Sequence, residues 1–262
     1  RELKPAQCGW YQDGSLSIEC YWSLQAKPHT ETFPQTAEHV RYLVKDAITR
    51  QLVSDVPIGT FLSGGLDSSI ISSVASRVMQ EKGLPLHTFS VDYKDNARYF
   101  QKSHFQPTSD PDYIRRMAEY LDCVHHWTVL DTPALAKALY AAVDARDLPG
   151  MVDVDSSLLL FCGAIKQQVT VALSGECADE LFGGYPWYRD PDIRMTDGFP
   201  WAQSTAYRMS FLREEFAQQI DGAAYVYQAY RTTADHAPKL PDDSPLEARM
   251  REMMKLNLDW FM

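Results

Sequence analysis

A short apolar run that breaks into Ser-Gly-Gly and continues as a helix constrains this chain more than any other feature. Residues 58–62 have strand character, residues 63–65 form the break, and a helix-forming run extends over about 66–79. Glycines allow a sharp turn that brings backbone N–H groups close to an anion, and the helix dipole adds partial positive charge. The segment therefore predicts a phosphate site with nearby hydroxyls and one carboxylate, from Ser63, Gly64, Gly65, Asp67, Ser68 and Ser69.

The loop matches neither of the common nucleotide motifs. A Walker loop needs Gly-Lys-Ser/Thr at its end, and the dinucleotide motif needs a third glycine, and both are missing here. The order Ser-Gly-Gly-x-Asp-Ser resembles instead the loop of enzymes that cleave ATP between its α- and β-phosphates. The alternative is an ordinary strand-to-helix turn capped by serine.

A second strand-like run carries a second motif. Residues 169–173 are apolar and β-branched, and they lead into Ser174-Gly175, three acids and a Phe-Gly-Gly-Tyr exit. The acids, Glu176, Asp179 and Glu180, repel one another unless they are solvated or neutralised by a cation. A solvated acidic helix start explains the charge but not the glycines. The sharper hypothesis is that Asp67 and Asp179 bind one magnesium–pyrophosphate from adjacent strand ends.

The pattern of elements predicts an α/β fold. Strand-like runs alternate with helical ones, which is typical of a parallel sheet covered on both faces, and helices alone follow Tyr185. We expect strands at 58–62, 86–92, 124–129 and 169–173, a hairpin at 8–12 and 15–20, helices at 34–52, 66–79, from Pro111, from Thr132 and at 156–167, an excursion at 93–108, and C-terminal helices at 203–219, 223–234 and 244–262.

Composition narrows the class of protein. A net charge of −10 without a basic cluster argues against nucleic-acid binding, and the apolar stretches are too short for a membrane span. The five cysteines form no Cys-x-x-Cys pair, so we expect reduced, mostly buried thiols and a cytoplasmic location. His125 and His126 point to opposite faces of a strand, so we expect a satisfied structural pair rather than a metal site.

The two motifs, Ser63–Ser69 and Ser174–Tyr185, resemble those of glutamine-dependent asparagine synthetases. The resemblance implies a parallel doubly wound sheet of the adenine nucleotide alpha-hydrolase (PP-loop ATP pyrophosphatase) type, with a helical C-terminal extension. It also implies that residues 1–27 are the hairpin and linker that end a preceding glutaminase domain. Residues 28–262 would then form the ATP-dependent synthetase domain, truncated at its C-terminus.

The same resemblance implies cofactors, partners and residue roles. The chain would be a ligase whose substrates are ATP, aspartate and ammonia from glutamine. Asp67 and Asp179 would bind Mg²⁺. The partners would be the glutaminase domain of the same parent chain and a second copy of the protein in a homodimer. Glu176 would be catalytic, as the acceptor of a proton from the attacking ammonium. The AMP part would contact Phe61, Val91, Ser174 and Gly175, and the pyrophosphate would contact Ser63, Gly64, Gly65, Ser68 and Ser69.

Some features depart from the family pattern. Arg1 stands where the glutaminase uses an N-terminal cysteine, and a catalytic lysine of the family falls after the last residue here. We therefore expect part of a longer protein, whose activity on its own is open. Cys177 replaces a usual glycine, which matters if the position needs a positive φ. Two alternatives stay open: a β-lactam synthetase-like enzyme that adenylates a carboxylate and closes a ring, and an inert nucleotide-binding fragment.

Overall fold

The computed structural model describes residues 3–102, 108–148 and 150–261. Part of the predicted excursion at 93–108 lies outside these residues. The chain divides into two compact units, one of residues Glu31–Glu176 and one of Arg1–Thr30 together with Cys177–Met262. In chain order, the elements up to residue 176 are β1 Gln7–Gln12, β2 Ser15–Cys20, α1 Phe33–Gln51, β3 Ile58–Phe61, α2 Leu66–Glu81, β4 His87–Tyr93, α3 Asn96–Tyr99, α4 Pro111–Leu121, β5 Val124–Leu130, α5 Thr132–Arg146, α6 Val152–Ile165 and β6 Val171–Leu173.

The unit of residues 31–176 is built on a four-stranded parallel sheet with the order β5-β4-β3-β6. In the register of β3 and β6, Thr60 lies opposite Leu173. In the register of β3 and β4, Phe61 lies opposite Phe89. The strands that precede the two motifs are therefore direct neighbours and end at the same edge of the sheet.

Alternate residues of the central strands face two different cores. Ile58 packs with Ala75 and Met79 of α2 and with the end of α1. On the opposite face, Phe89 packs with Phe161 of α6. The prediction of a parallel α/β sheet covered on both faces is confirmed, because strands buried on both faces are what the continuous apolar runs require.

Small side chains on α2 let the helix lie close to the sheet. Ser68, Ser72, Ala75 and Ser76 are buried along one stripe of this helix. The hydroxyls of Thr60 and Ser72 are 2.8 Å apart and satisfy each other between sheet and helix. This contact fixes the helix that begins at the predicted phosphate loop.

The other unit contains the hairpin and the helices after residue 176. The hairpin pairs Gln7–Gln12 with Ser15–Cys20, as predicted. The remaining elements are α7 Ala178–Phe182, a 3-10 helix Pro186–Tyr188, α8 Pro191–Arg194, α9 Thr205–Met209, α10 Glu214–Ile220, α11 Gly222–Asp235, α12 Pro245–Leu256 and a π-helix Asn257–Phe261. Buried Arg249 on α12 donates hydrogen bonds to the carbonyls of Arg194 and Thr196 at 2.7 and 2.6 Å, which fixes the loop after α8.

Two expectations about details were wrong, and a third, on the histidine pair, is met in part. The helix predicted at 203–219 is two helices, α9 and α10, separated at residues 210–213. The cysteines are free, but none of the five is buried, and Cys20 and Cys162 are exposed. Each ring of the histidine pair has a hydrogen-bond partner, since His126 Nε2 lies 2.9 Å from His87 Nδ1 and His125 Nδ1 lies 2.7 Å from Thr88 Oγ1. The buried His125 Nε2, however, has no partner among the described residues. Within the described part of the chain, no helix is both long and apolar enough to cross a membrane.

Candidate functional site

The loop between β3 and α2 is held in shape by its own serines. The backbone N–H of Ser63 donates to Ser68 Oγ at 3.1 Å, and the two hydroxyls are 2.9 Å apart. The N–H of Gly65 donates to Ser63 Oγ at 3.3 Å. Ser68 is buried, so its hydroxyl has a structural role that the sequence did not indicate. The N–H groups of the first turn of α2 have no partner within the helix and remain for an anion.

The structural requirement for glycine differs between Gly64 and Gly65. Gly64 has a φ of +78°, and a Cβ there would lie 2.9 Å from Tyr113 Cβ, so both backbone and space exclude a side chain. Gly65 has an ordinary φ of −73° as the N-cap of α2. Its Cβ would meet only Ser63 Oγ at 3.3 Å. The sharp turn therefore depends on Gly64.

Asp67 is the half-buried acid of the first turn of α2. Within the described residues its carboxylate makes no hydrogen bond and no ion pair, in contrast to Asp112, the first-turn acid of α4, which pairs with Arg115 at 2.8 Å. Its oxygens are therefore available to a ligand.

The second motif meets the first at Gly175. A Cβ on Gly175 would lie 3.2 Å from both Asp67 Cβ and the backbone nitrogen of Ser68. The chain after β6 therefore passes directly against the start of α2, as the neighbouring positions of β3 and β6 require. Ser174 orders this turn, because its Oγ accepts a hydrogen bond from the N–H of Glu176 at 3.3 Å. The side chain of Glu176 is exposed.

A cavity of about 370 Å³ opens at the carboxyl ends of β3 and β4, beside the loop. Three residues predicted to contact the nucleotide line it together, namely Phe61, Ser63 and Val91. Six of its fifteen lining residues are aromatic, and the rings of Phe61 and Phe161 lie with centroids 5.2 Å apart. An apolar slot beside a phosphate loop has the shape and polarity that a nucleoside base requires.

Sequence reasoning missed several polar and aromatic residues of this cavity. Asp92 accepts hydrogen bonds from the N–H of Tyr93 at 2.8 Å and from Asn96 Nδ2 at 2.9 Å. Trp127 of β5 also lines the cavity. The available signal was position, since Asp92 is the last residue of a predicted strand, at the edge where ligands bind.

The acidic run after Glu176 belongs to the other compact unit. Cys177 has a φ of +76° and is the N-cap of α7. Glu180 is buried and accepts a hydrogen bond from the Tyr185 hydroxyl at 2.7 Å. Burial and this bond raise the pKa of Tyr185. The Tyr185 hydroxyl therefore satisfies Glu180, one of the three acids. Neither a solvated acidic helix start nor a cation site predicted this hydrogen bond.

Asp179 is fixed by the glycine that follows α7. A Cβ at Gly184 would collide with Asp179 Oδ1, and the Gly184 N–H donates to the Asp179 carbonyl at 3.1 Å. Contacts with Asp179 and Glu180 thus explain the glycine and the tyrosine that end the segment 182–185.

Comparison with known proteins decides the family. A family profile described as asparagine synthase matches residues 39–262. The chain belongs to the asparagine synthase family. It is 44% identical to asparagine synthetase [glutamine-hydrolyzing] 3 of Bacillus subtilis (strain 168), over 100% of this chain and 42% of that protein.

Other members of the family match a smaller share. Asparagine synthetase [glutamine-hydrolyzing] 1 of the same Bacillus subtilis strain is 35% identical over 68% of this chain and 26% of its own length. Asparagine synthetase [glutamine-hydrolyzing] of Zea mays is 33% identical over 64% of this chain and 28% of its own length. This family member thus spans less than half the length of these relatives.

A solved structure of NAD⁺ synthetase from Burkholderia pseudomallei is also similar. It matches with a TM-score of 0.34 and 15% identity, over 59% of this chain and 67% of that one. The assignment to the family depends on the sequence matches alone.

Proposed function

We propose that this chain is the synthetase part of a glutamine-dependent asparagine synthetase. It would use ATP to convert aspartate to asparagine through a β-aspartyl-AMP intermediate, releasing AMP and pyrophosphate. The observation that carries the proposal is the contact of Gly175 with Asp67 and Ser68, which joins the two motifs of the family at one sheet edge. Ammonia would come from glutamine through the glutaminase domain of the same parent chain. The hairpin and linker boundary at residue 27, the cytoplasmic location and a homodimer stay predictions.

The phosphate loop would hold the group that leaves. The oxygen of a carboxylate is a poor leaving group, and adenylation makes it part of a mixed anhydride with AMP. Such a step depends on positioning and charge stabilisation. The N–H of Gly64 and the hydroxyl of Ser69 would donate to the pyrophosphate. The N–H of Gly65 and the exposed hydroxyl of Ser63 would exchange their bonds within the loop for bonds to it. Ser68 would contribute mainly by fixing Ser63, because its hydroxyl is already bonded there.

The apolar cavity would hold the AMP part. Phe61 and Val91 would contact the base and sugar, and Ser174 and Gly175 would lie against the α-phosphate side. The aromatic residues of the cavity would exclude water from one side of the nucleotide. Excluding water protects a reactive acyl-adenylate from hydrolysis.

Glu176 would accept a proton from the ammonium that forms when ammonia attacks the intermediate. Its backbone N–H is bonded to Ser174, so the carboxylate would project from an ordered turn beside the AMP site. General base catalysis of this kind contributes about 10²- to 10⁴-fold to a rate.

Asp67 and Asp179 would bind the magnesium ion that arrives with the nucleotide. Mg²⁺ is usually held by one or two carboxylates together with substrate phosphates and water. The described residues contain no group of three or more His, Cys, Asp or Glu that could hold a metal by itself, and Asp67 lacks a competing partner among them. When bound, the ion supplies positive charge that neutralises the departing pyrophosphate.

The test measures pyrophosphate and asparagine after the protein is mixed with ATP, Mg²⁺, aspartate and ammonium. Release of the two products in equal amounts would support the proposal. The assay uses this chain and, in parallel, the full-length protein. Asp67→Asn should lower release by more than about tenfold through loss of a metal ligand, whereas the control Asp112→Asn should not. Glu176→Gln should lower asparagine formation about 10²-fold or more and should affect ATP–pyrophosphate exchange less.

Other outcomes of the same assay support the alternatives. Pyrophosphate release without ammonium from a carboxylate substrate that carries its own amine, with no asparagine formed from aspartate, would support an enzyme that closes a ring within its substrate. ATP binding without release, in the full-length protein as well, would support a nucleotide-binding role and contradict the proposal.

A further inference from the structure

An apolar groove lies between α1, α2 and α4. It shares no lining residue with the cavity at the ends of β3 and β4, although Ser69 of the phosphate loop forms one end of its lining. Its volume is about 620 Å³. We refer to it as the α1–α2–α4 groove; its apolar lining consists of Val40, Val44, Ile70, Val74, Met117 and Tyr120. Val40 and Ile70 are 37% and 39% exposed and Tyr120 is 74% exposed, so the apolar surface is open to a partner rather than closed within the core.

Every charged residue that lines this groove is basic. Arg41 and Lys45 lie on α1 and Arg77 lies on α2, and no carboxylate is part of the lining. Lys45 and Arg77 have no ion-pair partner among the described residues, and Arg41 makes only an exposed contact with Glu38 at 3.3 Å. A cluster of basic residues is unexpected in this chain, because its net charge is −10. An acidic partner would be attracted here, whereas the net negative charge of the chain as a whole would repel it.

The spacing of the lining residues fits a helix. Positions 37, 40, 41, 44 and 45 of α1 and positions 70, 73, 74 and 77 of α2 recur at helical intervals on the two walls. Two turns on each wall make a trough about 12 Å long. Amphipathic helices bind such troughs through apolar residues at positions i, i+3, i+4 and i+7. A small ligand would instead need a pocket that buries most of its surface, which the exposure of Tyr120 contradicts.

We propose that the α1–α2–α4 groove docks an acidic amphipathic helix of a protein partner. The apolar face of that helix would cover Val40, Val44, Ile70 and Val74, and its carboxylates would pair with Arg41, Lys45 and Arg77. The proposal does not depend on the reaction catalysed at the nucleotide cavity.

Fluorescence anisotropy with two labelled model helices tests the proposal. Both probes carry leucine at i, i+3, i+4 and i+7, and their flanking positions are glutamate in one and lysine in the other. The glutamate probe should bind at least about tenfold more tightly than the lysine probe, and added salt should weaken its binding. The variant Arg41→Glu with Arg77→Glu should weaken binding of the glutamate probe at least about tenfold.

A charge-matched variant provides the control. Lys82→Glu with Arg115→Glu changes the net charge equally at exposed positions outside the groove lining, and should leave the affinity within about twofold. All four positions are exposed, so circular dichroism should show the same fold for both variants. Equal binding of both probes, binding of neither, or equal losses in the two variants would overturn the proposal. It would also be overturned by a dimer of this chain that only the Arg41→Glu, Arg77→Glu variant disrupts, since a second copy would then cover the groove.

Discussion

At the scale of single residues, the site depends on where a side chain is excluded. Gly64 combines a positive φ with close contact to Tyr113, and Gly175 touches Asp67. The sequence predicted the first turn because Ser-Gly-Gly after an apolar run has few other uses. It could not predict which of the two glycines is essential, since that depends on α4, which is distant in the sequence.

Gly64→Ala should destabilise the protein much more than Gly65→Ala. The first change adds left-handed strain and a clash, at a cost of about 2 kcal/mol or more, whereas the second should cost less than about 1 kcal/mol. Urea unfolding of the two variants measures the difference in the free energy of unfolding. Similar losses in both variants would show that the turn does not depend on the φ of Gly64.

Cys177→Gly should stabilise the protein by about 1 kcal/mol. Cys177 has a φ of +76°, where a Cβ costs energy that glycine avoids. Cys177→Ala is the matched control, because alanine keeps the Cβ and the strain and should give no gain. Thermal unfolding compares the three proteins, and a gain of the same size for alanine would attribute the effect to the loss of the thiol instead.

At the scale of elements, periodicity predicted the long segments well. The strands and the longer helices begin and end within a few residues of expectation, because alternation and capping residues mark them. The short helices α7 and α8 were missed, since four or five residues cannot show a period. The break between α9 and α10 was missed as well, because the apolar residues Phe211 and Leu212 continue the pattern across it.

Strand β5 should make stability depend on pH through His125. Burial lowers the pKa of His125 to about 4, and the nearby His126 adds to this. Unfolding restores an ordinary pKa near 6.5, so the unfolded state binds the proton first as the pH falls. Stability should be fully present above about pH 6.5 and should decline towards pH 4, by at most about 1.4 kcal/mol per pH unit for this group.

The variant His125→Gln isolates this contribution. Urea unfolding across the acidic range should give a shallower decline than in the parent protein, while the two curves run parallel above pH 7. An unchanged slope between pH 6.5 and 4 would mean that the buried imidazole does not determine the acid sensitivity.

At the scale of the whole molecule, the sequence predicted that two distant motifs would meet at one sheet edge. The neighbouring positions of β3 and β6 and the contact at Gly175 agree with this. Local patterns could not predict that residues 1–30 group with residues 177–262, because such pairing depends on contacts between parts far apart in the chain. They also could not reveal the role of Glu180, which depends on the Tyr185 hydroxyl.

The proposed reaction depends on one magnesium ion that carboxylates of both motifs would bind. A crystal structure of the protein with Mg²⁺ and a non-hydrolysable ATP analogue tests this most directly. We predict that the carboxylates of Asp67 and Asp179 both bind, directly or through one water, a single Mg²⁺ that also contacts the β- and γ-phosphates, with direct bonds of about 2.1 Å. A nucleotide bound elsewhere, or a magnesium ion bound to neither carboxylate, would contradict the account.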